Sequence, residues 1–173
     1  MKALLILDIQ NDFTGQHAKF PADQKQVIEI IENINKLTSD TQNNNFVPIY
    51  IGNEFSKKDP LNIFRNFSAI TGTDGCKLDG RLNVASSNYF SKNKSSAFVN
   101  ESLENFLNAH AINELYITGV FAEACVWATV REALKKDYKV SVLSNCVASG
   151  TDKKKRRMIE RYKKAGAAVL DVQ

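Results

Sequence analysis

Leu115-Tyr116-Ile117-Thr118-Gly119-Val120-Phe121-Ala122-Glu123-Ala124-Cys125-Val126 is the stretch on which the fold turns. Four residues of strand type meet a glycine. The chain then changes period, with Val126, Val130 and Leu134 recurring on one face of a helix over 123 to 136. A strand feeding directly into a helix is half of a parallel crossover unit.

Working outward, the same alternation holds on both sides. Upstream, Ala3 to Leu7 is a continuous apolar run, the pattern of a strand covered on both faces. Val27, Ile30, Ile31, Ile34 and Leu37 follow at helical spacing, and Asn43-Asn44-Asn45 breaks that helix. Val47 to Ile51 is a second strand, Asn88 to Ser91 a short one, and Leu103, Phe106 and Leu107 mark a helix. Downstream, Val140 to Leu143 is a strand, 152 to 165 a helix and Ala167 to Leu170 a last strand. Strands separated by helices predict an α/β fold: three layers, α/β/α and Rossmann-like, around a mostly parallel sheet of about six strands. Residues 52 to 86, rich in Gly, Asn, Asp and Lys, form a long excursion that is expected to be functional or to carry short elements of its own.

The 173 residues suit one domain spanning 1 to 173, large enough to fold without disulfide staples. Composition is ordinary for a globular chain, with 43% hydrophobic and 24% charged residues. No apolar run approaches the roughly 20 residues that span a bilayer. Met1 to Asp8 lacks a small-residue cleavage site and reads as a buried strand rather than a signal peptide. Cys76, Cys125 and Cys146 are odd in number and widely spaced, which argues for a reducing, cytoplasmic setting. The +4 charge gathers in Lys153 to Arg157 and Arg161 to Lys164. One basic helix without interleaved aromatics reads as a solvated face, so neither nucleic acid nor membrane is expected as a partner.

Sites in such folds lie beyond the carboxyl ends of the strands. That rule selects Asp8, the residues after Ile51, the 88 to 98 segment, the 118 to 125 turn and the region after Leu143. Taken alone, Asp8 reads as a turn aspartate, Lys92 as a solvated lysine and Cys125 as a small buried residue. A helix N-terminus beside Cys125 is expected to favour its thiolate.

Together they are more specific. Asp8-Ile9-Gln10-Asn11-Asp12-Phe13, Lys92 four residues before Ser96-Ala97-Phe98, and Gly119 six residues before Cys125-Val126 resemble the isochorismatase-like cysteine hydrolases, relatives of nicotinamidase and N-carbamoylsarcosine amidohydrolase. The resemblance extends over nearly the whole chain, including Gly75 with Leu78 and Leu82, and Val140 through Ser149.

The resemblance implies a catalytic triad of Asp8, Lys92 and Cys125. It implies a cis peptide at Val120-Phe121 and an oxyanion hole from the N–H groups of Phe121 and Cys125. It also implies that Phe13 lines the substrate pocket. From the residues themselves, Glu54 and Phe55 read as candidate substrate contacts, with a surface glutamate as the alternative for Glu54, and Phe55, Phe64 and Phe67 read as a cover from the long excursion or as ordinary core packing. A homodimer or larger assembly is implied as well. The nicotinamidases of the family bind a metal through an aspartate and histidines after the second strand. Here Asn53 and Phe55 stand in those places, and His17 and His110 lack ligand spacing, so neither metal nor other cofactor is expected. Ala122 stands where threonine is frequent, and Cys76 and Cys146 read as structural. The expected reaction is hydrolysis of a small-molecule amide, ureido or carbamoyl C–N bond through a covalent Cys125 intermediate. Two alternatives are vinyl-ether hydrolysis of isochorismatase type, in which the aspartate is the acid, and a non-enzymatic anion-binding protein.

Overall fold

The computed structural model describes residues 1–39 and 45–172. Six strands, β1 (Lys2–Leu7), β2 (Phe46–Asn53), β3 (Tyr89–Lys92), β4 (Glu114–Gly119), β5 (Lys139–Val147) and β6 (Ala168–Leu170), form one sheet in the order β3-β2-β1-β4-β5-β6. Every pairing is parallel. The helices are α1 (Asn11–Thr14), α2 (Gln24–Ser39), α3 (Glu101–Ala109), α4 (Trp127–Lys135) and α5 (Asp152–Lys164).

The alternation of side chains along a strand builds two cores from one sheet. Ala3, Leu5 and Leu7 enter the layer under α3, α4 and α5, with Leu103, Val130, Met158 and Tyr162. Leu4 and Ile6 enter the opposite layer, with Val27, Ile30 and Ile34 of α2. Ala3 to Leu7 are all fully buried, which is why this strand reads as a continuous apolar run. Among the described residues, no helix is long and apolar enough to cross a membrane.

Several elements depart from their expected limits. Asn43 and Asn44 lie outside the described residues; Asn45 has φ of +52°, a left-handed turn residue leading into β2. β5 continues four residues past Leu143, because a register shift between Ile117 and Gly119 lets Val147 pair with Gly119. The expected helix over 123 to 136 begins instead as a π turn, Ala122–Val126, and becomes α-helical at Trp127. The excursion carries two 3₁₀ turns, Pro60–Arg65 and Asp74–Cys76, and bridges back to the body at Gln10–Leu78 and Phe55–Ile70.

Candidate active site

Register brings the chemistry to one edge. Leu7 pairs with Ile51 on one side and Gly119 on the other, so Asp8 leaves the sheet between the ends of β2 and β4. Gly119 has φ of +113°, and a Cβ there would meet the Leu7 carbonyl oxygen at 2.0 Å; only glycine lets β4 turn this close to β1. Asp8 itself sits at φ +56°, held by its N–H donating to the Ile51 carbonyl (2.8 Å) and its carbonyl accepting from Gln10 N–H (2.9 Å).

The polar residues after Asp8 fasten the long excursion over this edge. The Gln10 side chain grips the Asn53 backbone twice, accepting from its N–H (2.8 Å) and donating to its carbonyl (2.9 Å). Asn11 Nδ2 donates to the Asp74 carbonyl at 2.9 Å. Asp12, itself buried, accepts from Ala69 N–H at 2.9 Å. A Cβ on Gly75 would collide with the Asp12 carboxylate, which explains a glycine in that turn. After Lys92, the Ser96 hydroxyl accepts from Phe98 N–H at 3.2 Å and the Thr129 hydroxyl accepts from Ala97 N–H at 3.1 Å, while Ala97 and Phe98 are buried. The Ser96-Ala97-Phe98 segment thus anchors the chain that follows β3.

Asp8, Lys92 and Cys125 meet in this space. Lys92 Nζ donates to Asp8 Oδ2 at 3.0 Å, lies 3.3 Å from Cys125 Sγ and also reaches the Lys94 carbonyl at 3.2 Å. Its side chain is wholly buried. Asn53, which pairs with Lys92 across β2 and β3, joins them: its Oδ1 accepts from Lys92 Nζ at 2.8 Å, and its Nδ2 lies 3.7 Å from Cys125 Sγ.

Burial governs how these groups titrate. It pushes the Asp8 carboxyl above its ordinary value, with the Lys92 ammonium opposing. Burial alone would pull Lys92 down, yet the charges of Asp8 and Cys125 outweigh it and hold the ammonium firmly protonated. Burial first, then the neighbouring Asp8 charge, pushes the Cys125 thiol up to about 12. The expectation that a helix terminus would favour the thiolate is therefore corrected. Cys125 lies in the π turn that runs into α4, enclosed beside the Asp8 carboxylate, and this enclosure raises its thiol.

The peptide Val120-Phe121 is cis. The Phe121 carbonyl accepts from the N–H groups of Ala124 (3.0 Å) and Val126 (3.3 Å), whereas the Phe121 N–H donates to no other described residue.

A cavity of about 180 Å³ opens over Asp8, Asn53 and Cys125. Phe13, Phe55 and Phe121 line it, and so does Phe20, which no motif or periodicity singles out. Phe121 meets Phe13 and Phe20 edge-on, with centroids 5.9 and 5.4 Å apart. Two expectations need correction. Phe64 and Phe67 do not cover the cavity; they point outward, 78% and 54% exposed. Glu54 is also absent from its wall, because it alternates with Asn53 and Phe55 and so faces the other way. It borders a separate polar recess with Ser91, Asn100 and Glu101, and accepts from Tyr89 Oη at 3.0 Å.

The residues that stand where nicotinamidase ligands are expected after β2 do not suit a metal. Asn53 Oδ1 is engaged by the Lys92 ammonium, Phe55 offers no ligand atom, and the Arg65 guanidinium lies over the Phe55 ring at 3.9 Å. Among the described residues no group of three or more His, Cys, Asp or Glu could hold an ion.

Known proteins share this architecture. An isochorismatase-like hydrolase from Alkaliphilus metalliredigens superposes with a TM-score of 0.91 at 25% identity, covering 98% of this chain and 94% of that one. The nicotinamidase PncA from Bacillus subtilis gives 0.88 at 26% identity, covering 98% and 99%. A probable inactive nicotinamidase from Arabidopsis thaliana is 29% identical over 161 residues, 86% of this chain and 81% of that protein. Residues 2–173 match the isochorismatase domain, and the chain belongs to the isochorismatase family.

Proposed function

We propose that the protein hydrolyses a small-molecule amide, ureido or carbamoyl C–N bond through a covalent intermediate on Cys125. The observation that carries this reading is the buried cluster of Lys92, Asp8 and Cys125, with the ammonium 3.0 Å from the carboxylate and 3.3 Å from the sulfur, and with Asp8 and Cys125 lining a ligand-sized cavity. A thiol raised to about 12 needs a base at hand, and Asp8 is that base.

Asp8 takes the thiol proton as Sγ attacks the substrate carbonyl carbon. The C–S bond forms, and the carbonyl π electrons move to oxygen. The N–H groups of Phe121 and Cys125 receive that oxyanion. Collapse re-forms the carbonyl and breaks the C–N bond, while Asp8 passes its proton to the leaving nitrogen. Water then attacks the thioester or thiocarbamate, giving its proton to Asp8. The second collapse breaks the C–S bond, and the sulfur regains its proton. Lys92 holds its positive charge throughout, stabilising whichever of Asp8 and Cys125 is the anion. Asn53 positions the Lys92 ammonium and turns an N–H toward the sulfur.

A turnover screen of small amides and ureides, read as ammonia release, tests the proposal. At least one substrate should turn over, and Cys125→Ala should abolish it. Turnover that survives loss of Cys125 would overturn the covalent route and favour acid catalysis by Asp8 alone.

A further inference from the structure

Among the described residues, two buried side-chain polar atoms lack a hydrogen-bond partner: Asp8 Oδ1 and Ser68 Oγ. Both residues line the same cavity. Buried polar atoms without partners are rare in folded proteins, and each calls for a reason. Asp8 Oδ1 has one in the chemistry proposed above. Ser68 is not part of that chemistry, is fully buried, and comes from the excursion rather than from a strand end.

Its neighbour in the cavity wall is Arg65. The guanidinium stacks over Phe55 with its carbon 3.9 Å from the ring centroid. Only Nη1 is engaged, donating to Asp59 Oδ2 at 2.9 Å and to Asn62 Oδ1 at 3.4 Å. Nε and Nη2 donate to no other described residue. Stacked on a ring and tethered along one edge, the guanidinium is fixed in orientation with its other donors unused. That is a suitable arrangement for receiving a planar, bidentate acceptor. Asp59 pairs with Arg65 as Lys92 pairs with Asp8, and Lys94 adds a further cation to the wall.

We infer that Arg65 and Ser68 form a carboxylate-binding subsite, so that the substrate is a small acid whose amide or ureido carbonyl lies over Cys125 while its carboxylate is held by Arg65 and Ser68. This rests on the hydrolytic reading for the carbonyl end alone. The aromatic walls and a volume of about 180 Å³ suit a compact body between the two ends; a cavity of about 150 Å³ accepts a benzene ring. Arg65 and Ser68 are specificity-determining residues, acting on substrate far from the bond that breaks.

Binding to the Cys125→Ala protein, which cannot form the covalent intermediate, separates this inference from the chemistry. Isothermal titration would use three acid and neutral pairs: N-carbamoylglycine and N-carbamoylglycinamide, succinamate and succinamide, benzoate and benzamide. At least one acid should bind about tenfold or more tightly than its neutral partner, the scale of a charge-assisted hydrogen bond. Adding Arg65→Met should erase that preference, and adding Ser68→Ala should weaken the acid several-fold while leaving the neutral partner unchanged. Thermal melts of each variant would establish that it is folded. Equal affinity within every pair, no measurable binding of any acid at 10 mM, or a preference that survives Arg65→Met in a folded protein would each overturn the subsite. Failure of the turnover screen with intact acid preference would instead count against the chemistry alone.

Discussion

Replacing Lys92 by Met probes the site through stability as well as rate, because the ammonium has no solvent to fall back on. Its side chain is fully buried, and it touches Asp8, Asn53, Cys125 and the Lys94 carbonyl within 3.3 Å. Methionine matches the length and removes the charge. What remains is a carboxylate with one oxygen stripped of its cation and the other already unpartnered. Breaking a buried pair in this way costs about 3–5 kcal/mol. Asp8 can limit the loss by taking up a proton.

That escape makes the effect depend on pH, with a definite sign. Burial already holds the folded pKa of Asp8 above its ordinary 3.8, and Lys92 pulls it back down. Without Lys92 the folded value rises further. A carboxyl that binds its proton more tightly when folded loses stability as pH rises from its unfolded pKa to its folded one. The gap between wild type and Lys92→Met should therefore be small near pH 4 and widest at pH 8. For a chain of this size, about 3–5 kcal/mol corresponds to a melting shift of roughly 6–20 °C. Asp8→Asn/Lys92→Met, which carries neither charge, should regain much of the lost melting temperature at pH 8 while remaining inactive. Melts at pH 4.5 and 8, together with turnover, decide the matter. A gap that does not vary with pH, or a double variant destabilised by the sum of its singles, would refute the coupled-pair argument.

Asp8→Asn should lower turnover by about a hundredfold or more while titration still detects substrate binding. The same variant should abolish the iodoacetamide reactivity of Cys125 seen by peptide mapping, because the thiol depends on that carboxylate for its activation; unchanged labelling would remove Asp8 as the base. Activity should survive EDTA, since Asn53 and Phe55 fill the family's metal position; loss on chelation, restored by zinc, would reverse that reading. Gly119→Ala should fold poorly or melt well below wild type, because its Cβ would lie 2.0 Å from the Leu7 carbonyl oxygen; a wild-type melting curve would contradict the close approach of β1 and β4.

The fold was legible wherever periodicity carries it. β1 is buried on both faces and has no polar interruption, so its pattern is unmistakable. The pattern of β5 ends four residues short of the strand because Ser144 and Asn145 break the apolar run, while pairing resumes beyond them at Val147. At the site, Asp8, Lys92 and Cys125 could be chosen because strand ends and motif spacing coincide there. Asn53 occupies another strand end, yet its residue type marks only a missing metal ligand and does not reveal its bond to Lys92. The period of β2 could have identified it, since Asn53 and Phe55 share a side that Glu54 does not. Phe20, Arg65 and Ser68 had no comparable signal. Phe20 and Ser68 lie in aperiodic chain and Arg65 ends a 3₁₀ turn; the Phe20 N–H donates to the Asp12 carbonyl at 3.0 Å, and the N–H of Ala69, next to Ser68, donates to the Asp12 carboxylate at 2.9 Å.

Those contacts tie recognition to chemistry. The six residues from Asp8 to Phe13 supply the proposed base, two anchors for the excursion, a grip on Asn53 and one wall of the cavity. The excursion carries Arg65 and Ser68, and so has its position set by the same turn that sets Asp8. A displacement of that turn would move the proposed base and the carboxylate subsite together, keeping the span between them nearly constant. The charge balance follows the same economy. Asp8 and Lys92 neutralise each other, and Asn53 satisfies the ammonium without competing for its charge. A carboxylate in place of Asn53 would leave the buried cluster with an uncompensated negative charge and raise the thiol still further. An amide at position 53 thus suits a buried cluster in which one ammonium lies against both a carboxylate and a thiol.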